Sequence, residues 1–223
     1  MYIVVDLSIR RVKLASLEEL GFQEAVIVEV VVSTVDDEGR PNAAPMGVTL
    51  EGGWLILRPY RSTRTYRDMA STKRALLNVV DDPELFVLTA LKDGEAPRWI
   101  FGEGCPPRLK GAKAYVEVSV EREESLSDDR AKLYCKPIRV EARAGAKAYC
   151  RAKAAVIEAT VHATRVKVYA LRGLREEAEW LMRLIEHYVA LVKRVAPGTS
   201  YEALISEVEA WAKKWLREAY LTK

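Results

Sequence analysis

At 223 residues the chain is long enough to bury a sizeable core, as one large domain or one domain with an appendage. Hydrophobic residues make up 49% and charged residues 30%, which excludes a disordered chain. The net charge of +3, left by 35 basic and 32 acidic side chains, gives no electrostatic case for nucleic acid. No apolar run approaches the roughly 18 residues that span a bilayer. The apolar start, Met1 to Asp6, leads into no cleavage site, so no membrane partner and a cytoplasmic location are expected. Only two asparagines, Asn42 and Asn78, and one glutamine, Gln23, occur among many Lys, Arg and Glu. That bias fits a heat-adapted protein, since amides are thermolabile and charges form networks. Cys105, Cys135 and Cys150 are odd in number and show no CxxC spacing. Free thiols are expected, or one disulfide in a hyperthermophilic host.

Taken in chain order, residues 1–23 read as an N-terminal extension. Val26 to Val35 is rich in β-branched residues and ends at the turn signal Asp36-Asp-Glu-Gly39. Asn42 to Glu51 and Trp54 to Tyr60, separated by Gly52-Gly53, continue it as an antiparallel meander. Ser62 is placed as the N-cap of a short helix over Thr63 to Ser71. Arg74 to Val80 reads as a strand, and Asp82 with Pro83 starts a second helix running to about Leu91. Residues 92–110, rich in Gly and Pro, read as irregular. Two strands, Ala112 to Arg122 and Ile138 to Ala144, flank a charged interval, Glu121 to Lys132, expected to hold a short exposed helix. Ala155 to Tyr169 reads as a further strand, with Val156, Glu158, Thr160, His162, Thr164, Val166 and Val168 on one face. Arg175 to Val195 has the three-and-four spacing of an amphipathic helix. After Pro197-Gly198, Ser200 caps another, with Leu204, Ile205, Val208, Trp211, Trp215 and Leu216 as its apolar face. Trp180, Trp211 and Trp215 belong either to this core or to a partner surface.

The stretch from Val35 to Asp82 concentrates the chemistry. Arg61, Ser62, Thr63, Arg64 and Thr65 sit where a strand passes into a helix. N–H groups at a helix start attract anions, hydroxyls add donors, and the guanidinium fork matches phosphate oxygens. The alternative is a capped surface helix with solvated arginines. Asn42-Ala43-Ala44-Pro45-Met46-Gly47 leaves a strand backbone bare, so that a flat ring can approach its N–H and C=O groups. The alternative is a tight strand crossing that also needs small residues. Asn78 offers a ring edge both donor and acceptor, or is a buried amide satisfied by backbone. No Walker loop or GxGxxG occurs.

These motifs resemble the FMN-binding split β-barrel superfamily, which includes the flavin reductases, and are similar above all to its archaeal DUF447 type. The resemblance rests on Val31-Val-Ser-Thr34, Asp37-Glu-Gly-Arg-Pro41, Asn42 to Val48, Arg58-Pro-Tyr60, Ser62 to Tyr66 and Asn78 to Pro83. Pro107 to Ala112 and Glu158 to Arg165 extend it, so that it covers most of residues 24–169. It implies a mainly β fold with α: a six-stranded antiparallel Greek-key split barrel over 24–170, with a C-terminal helical hairpin over 171–223. It also implies a homodimer with FMN in a groove at the interface. Carried over, Asn42, Ala43, Ala44, Pro45 and Met46 meet the ring. Arg61, Ser62, Thr63, Arg64 and Thr65 meet the phosphate, with one of the two arginines sufficient, and Asn78 is a ring or ribityl partner.

Catalytic side chains are not identified. The chain has two histidines, His162 and His187, without ligand spacing, so no metal site is expected, and no nucleophile elbow appears. His162 is either a flavin-facing residue from the second subunit or a satisfied barrel histidine. The functional reading is an FMN-binding flavoprotein of flavin reductase type, drawing on NAD(P)H or another electron donor. The alternatives are an FMN carrier or sensor without turnover, a haem-binding split barrel using His162, and a structural dimer with an empty ancestral site.

Overall fold

In a computed structural model, which describes residues 13–14, 16–91 and 97–221, valines alternating along the chain from Val28 build the first long strand of a barrel. Strands β1 (Lys13–Leu14), β2 (Val28–Val35), β3 (Pro41–Glu51), β4 (Trp54–Leu57), β5 (Arg74–Val79), β6 (Ala114–Ser125) and β7 (Ala131–Ala142) form one antiparallel sheet. The order is β1-β7-β4-β3-β2-β5-β6, and pairing of β6 with β7 closes six of them into a barrel. The order β2-β3-β4-β7-β6-β5 around the barrel is the expected Greek key.

Turn chemistry fixes the register. The Asp36 carboxylate accepts from the N–H of Glu38 at 3.1 Å and of Arg40 at 2.8 Å, folding β2 back so that Val35 faces Pro41 and Val28 faces Val48. Gly52 and Gly53 both have positive φ, 55° and 84°, the hand a two-residue hairpin needs between β3 and β4. Between β4 and β5, helix α1 (Arg64–Thr72) is capped by Thr63, whose hydroxyl accepts from the Tyr66 N–H. The cap is thus one residue later than Ser62. After β5, helix α2 (Pro83–Ala90) starts as expected, with Asp82 as cap and Pro83 in the first turn.

β4 is only four residues long, and its shortness opens the barrel in two places. It pairs with Val48 to Glu51 of β3, so among the described residues no strand borders Pro41 to Gly47 on that side. It pairs with Leu133 to Cys135 of β7, and β1 returns only at Glu141 and Ala142. Lys136 to Val140 therefore has β6 on one side and no strand on the other among the described residues.

Leu20 and Phe22 are fully buried, so the end of the expected extension belongs to the barrel unit. Residues 1–12 lie outside the described residues. The charged interval Glu121 to Lys132 is not helical. β6 and β7 run on as a two-stranded ribbon to Ser125 and Ala131, because hairpin pairing satisfies its backbone while its charges face water.

The chain divides after Tyr149, rather than after 170, into two compact units. The second opens with helix α3 (Arg151–Leu171), followed by α4 (Arg175–Val195) and α5 (Ser200–Leu221), the expected pair of C-terminal helices. The strand expected over Ala155 to Tyr169 is α3. Its buried residues are Ala152, Ala155, Ala159, Ala163, Val166 and Ala170, a helical period written in alanine. Of the β-branched residues on the expected strand face, Thr160, Thr164 and Val168 are exposed and Val156 half-buried, and only Val166 is buried. Of the expected apolar line of α4, Ala178, Leu181, Met182, Ile185, Val189 and Val192 are buried and Tyr188 is half-buried. α5 buries Ile205, Ala212 and Ala219, whereas Trp180, Trp211 and Leu204 are exposed. No helix among the described residues is long and apolar enough to cross a membrane.

Candidate functional site

The unbordered half of β3 is the unusual part of the barrel. Asn42 and Ala43 before it, and Val48 and Thr49 after it, are buried, but Ala44, Pro45, Met46 and Gly47 are all half-buried. An ordinary strand alternates buried with exposed; here four consecutive residues, three of them without a long side chain, are reachable. Pro45 carries no N–H, which a strand tolerates on an open edge. A Cβ on Gly47 would stand 2.8 Å from Ile27 Cγ2, so this close approach requires glycine. The result is an edge of bare peptide groups able to bond the polar rim of a flat ring.

The start of α1 lies across from this edge, and buried hydrogen bonds join the two. Asn42 Nδ2 donates to Thr65 Oγ1 at 3.0 Å and to Thr34 Oγ1 at 3.3 Å. Thr34 in turn donates to Asp68 Oδ2 at 2.6 Å. Asn42, Thr34, Thr65 and Asp68 are all buried. Burial pushes the Asp68 carboxyl above its ordinary value, which the Thr34 hydroxyl and Arg64 offset only in part. Arg64 Nη2 donates to the Arg40 carbonyl at 3.1 Å and to Asp36 Oδ2 at 3.3 Å. Burial acts to raise the Asp36 carboxyl as well, but its bonds from Arg40 outweigh that and hold it below the usual range. A cavity of about 430 Å³ along this flank of α1 is lined by Arg40, Arg64, Arg67, Asp36, Asp68 and Ser71, with Asp37.

The expected site residues therefore separate. Ala44, Pro45 and Met46 line the accessible edge, and Ser62 and Thr63 are exposed at the helix start with Arg64 beside them. Asn42 and Thr65 are present but turned inward, binding edge to helix. Ala43 belongs to the buried cluster of Val31, Val80, Leu85, Ile100, Leu109 and Ala112. Arg61 is held elsewhere: its Nη1 donates to Glu123 at 2.7 Å and to the Tyr66 hydroxyl at 2.6 Å. Asn78 is fully buried. Its Nδ2 donates to the Val31 and Leu76 carbonyls and to Ser33 Oγ, and its Oδ1 accepts from the Leu109 N–H at 2.9 Å. With both ends of the amide engaged it is a structural lock between β2, β5 and the loop before β6, not a surface ligand. Arg67 and Asp68 were missed, although Arg64, Arg67, Asp68 and Ser71 fall at helical spacing on one face of α1.

His162 lies on α3, in the helical unit, with its ring 5.9 Å from that of Tyr188 and nearly parallel to it. Both histidines of the sequence fall beyond Tyr149, so the barrel unit has no histidine for a haem iron. Among the described residues no cluster of His, Cys, Asp or Glu is arranged to hold a metal ion.

A family model for the N-terminal domain of a protein of unknown function, DUF447, matches residues 28–144, and a second DUF447 model matches residues 150–218. The first alone covers more than half of the chain. The chain belongs to the DUF447 family. The two matched regions of this DUF447 protein meet at the same place as its two compact units. It is similar to the FMN-bound DUF447 protein MM1853 from Methanosarcina mazei, with 27% identity and a TM-score of 0.52, over 92% of this chain and 100% of that one. It is also similar to the styrene monooxygenase flavin reductase from Pseudomonas putida S12, with 15% identity and a TM-score of 0.46, over 52% and 80% of the two chains.

Proposed function

We propose that this DUF447 protein binds FMN non-covalently in the groove between the open edge of β3 and the start of α1. The observation that carries the reading is the likeness, along nearly the whole chain, to a family member whose structure holds FMN. The residues present fit such a group. Ala44 to Gly47 offer, on the side away from β2, accessible peptide groups beside mostly small side chains, suited to the polar rim and the face of an isoalloxazine. Ser62 brings a hydroxyl, and Arg64 a guanidinium, to a helix start where an anion is favoured, while the Thr63 hydroxyl beside them caps the helix and donates to the Tyr60 carbonyl. Asn42 and Thr65 hold those two halves at a fixed spacing. The reading includes a homodimer with the groove at its interface, since an edge reachable along four residues is left for a second chain to cover.

When bound, FMN supplies electron-transfer chemistry at its ring, and the protein supplies binding, orientation and exclusion of water. We infer an oxidoreductase of flavin reductase type, with NAD(P)H or another donor as the source of electrons. A carrier or sensor of FMN uses the same groove without turnover.

The test is a titration of the purified protein with FMN and with riboflavin, read by flavin fluorescence and by melting temperature. FMN binds and raises the melting temperature, as a ligand of the native state must, and riboflavin, lacking the phosphate, binds more weakly. Ser62→Ala lowers FMN affinity about tenfold or more, the value of one hydrogen bond to a charged group, and leaves riboflavin nearly unaffected. Equal loss for the two ligands would place the phosphate elsewhere; no shift with saturating FMN would end the flavin reading. Anaerobic bleaching of the bound flavin by NADH or NADPH separates the reductase from the carrier.

A further inference from the structure

A second cleft lies on the barrel unit and shares no lining residue with the cavity beside α1. Strand alternation and register build its floor. Leu76 of β5 pairs with Glu117 of β6, which pairs with Arg139 of β7; two residues away, Asn78 pairs with Tyr115 and Tyr115 with Glu141. Arg74, Leu76, Tyr115, Glu117, Arg139 and Glu141 therefore share one face of three adjacent strands. The Gly104 to Arg108 loop forms the opposite wall. The space is about 230 Å³, below the roughly 300–1,000 Å³ of pockets for drug-sized ligands.

Its charge is unbalanced and its donors are held in place. Three guanidiniums, Arg74, Arg108 and Arg139, face two carboxylates, Glu117 and Glu141, leaving one positive charge in surplus. Glu141, 6% exposed, accepts at Oε1 from Arg108 Nη2 at 2.6 Å and is ion-paired with Arg139, Nε lying 2.7 Å from the same oxygen. Arg74 is paired with Glu117. The Arg108 guanidinium lies 4.7 Å from the centroid of the Tyr115 ring, and the Tyr115 hydroxyl is bonded to the Leu109 carbonyl at 3.2 Å. A buried carboxylate that bridges two arginines is costly to assemble for stability alone. What it provides is a pair of planar, donor-rich heads fixed at the mouth of a cleft, each with N–H groups beyond the one spent on Glu141. Leu76, Tyr115 and Pro106 give the cleft an apolar side.

We propose that this cleft binds a small organic monoanion with a flat unsaturated body, of which an aromatic carboxylate is the simplest kind. One surplus charge selects a single anionic group, the guanidinium forks match a carboxylate in geometry, and the apolar side formed by Leu76, Pro106 and Tyr115 receives a flat body. The inference does not depend on the flavin reading, because the lining is formed by other strands and another loop.

Cys105 provides the readout. It lines the cleft and is exposed, while Cys135 is buried and Cys150 half-buried. The full-length protein is alkylated with iodoacetamide in the presence of benzoate, its neutral isostere benzamide, or sodium chloride at equal ionic strength. Modification of each cysteine is followed by mass spectrometry. Benzoate at about ten times its dissociation constant slows Cys105 about tenfold, by simple occupancy, and leaves Cys150 unchanged; benzamide and chloride do neither. Arg108→Gln weakens benzoate protection about tenfold, through loss of a charge-assisted donor. Arg139→Gln, at a more exposed position, gives a second variant if the first fails to fold. Equal protection by benzoate and benzamide, protection by salt alone, or none at saturating benzoate overturns the proposal. So does protection by FMN alone, which would assign the cleft to the flavin.

Discussion

Two buried polar residues of the barrel unit have different consequences when changed. Asn78 was legible in the sequence as an amide on a strand, equally able to meet a ligand or the backbone; only the fold shows that its partners are Val31, Ser33, Leu76 and Leu109. Asn78→Ala strands the Leu109 N–H and several carbonyls in the core and costs roughly 3 kcal/mol or more. Chemical denaturation checks this, and the protein that remains folded keeps its FMN affinity. Asp68 behaves differently. Burial raises its carboxyl above the ordinary 3.8, so the native state holds that proton to higher pH than the unfolded chain does. Its contribution to stability is full below 3.8 and is lost as pH rises through the raised native value. Asp68→Asn, which keeps an acceptor for Thr34, removes this dependence. Melting temperatures followed upward from acid should show the wild type losing ground to the variant across that window; parallel profiles would contradict the assignment.

At the level of elements, the strands and caps that could be read in advance carry their own local chemistry. Asp36 and Gly39 make a turn, Gly52-Gly53 a hairpin, and Asp82-Pro83 a helix start. The failures share a cause: the deciding term was tertiary. α3 buries mainly alanines, which carry no strong apolar signal, and leaves most of the β-branched residues that look like a strand unburied. The end of the β6–β7 ribbon is mostly charged, and charge says nothing about pairing. This ribbon also explains Arg61. The Arg61 N–H donates to the Asp129 carbonyl and the Ala131 N–H to the Pro59 carbonyl, so the segment between β4 and α1 is held against the ribbon, with the Arg61–Glu123–Tyr66 contacts alongside. Arg61→Ala and Glu123→Ala should then be coupled in a double-mutant cycle by no more than about 1 kcal/mol, the value of a partly exposed pair. Neither should change the preference for FMN over riboflavin. A selective loss of FMN binding in Arg61→Ala would return that arginine to the phosphate.

For the molecule as a whole, the three free cysteines report at three depths. Burial within the barrel pushes the Cys135 thiol up to about 12, and its strand is paired on both sides, with Leu55 and with Val120. It should resist alkylation until the barrel opens, so that its rate follows the population of the open form under mild denaturant, while Cys105 reacts throughout. Appreciable labelling of Cys135 in native buffer would mean that the β4–β7 seam opens locally. The two-unit organisation was the least legible feature at this scale. The amphipathic pattern of α4 announced helices, but nothing in the strand-like run before it located the division at Tyr149.

The short fourth strand has one further consequence. Because it begins only after the Gly52-Gly53 turn, it leaves a stretch of β7, from Lys136 to Val140, without a neighbour strand on one side among the described residues, and an uncovered stretch of sheet is a template on which a stray chain can nucleate a fibril. The residues found there are Lys136, Pro137, Ile138, Arg139 and Val140. A proline denies the incoming strand one of its hydrogen bonds, and the two cations flanking it resist stacking of identical copies. The short strand that bares β3 on one side thus leaves a gap along β7 on its other side, and the residues set in that gap are of the kind that keep a crowded solution of this protein clear.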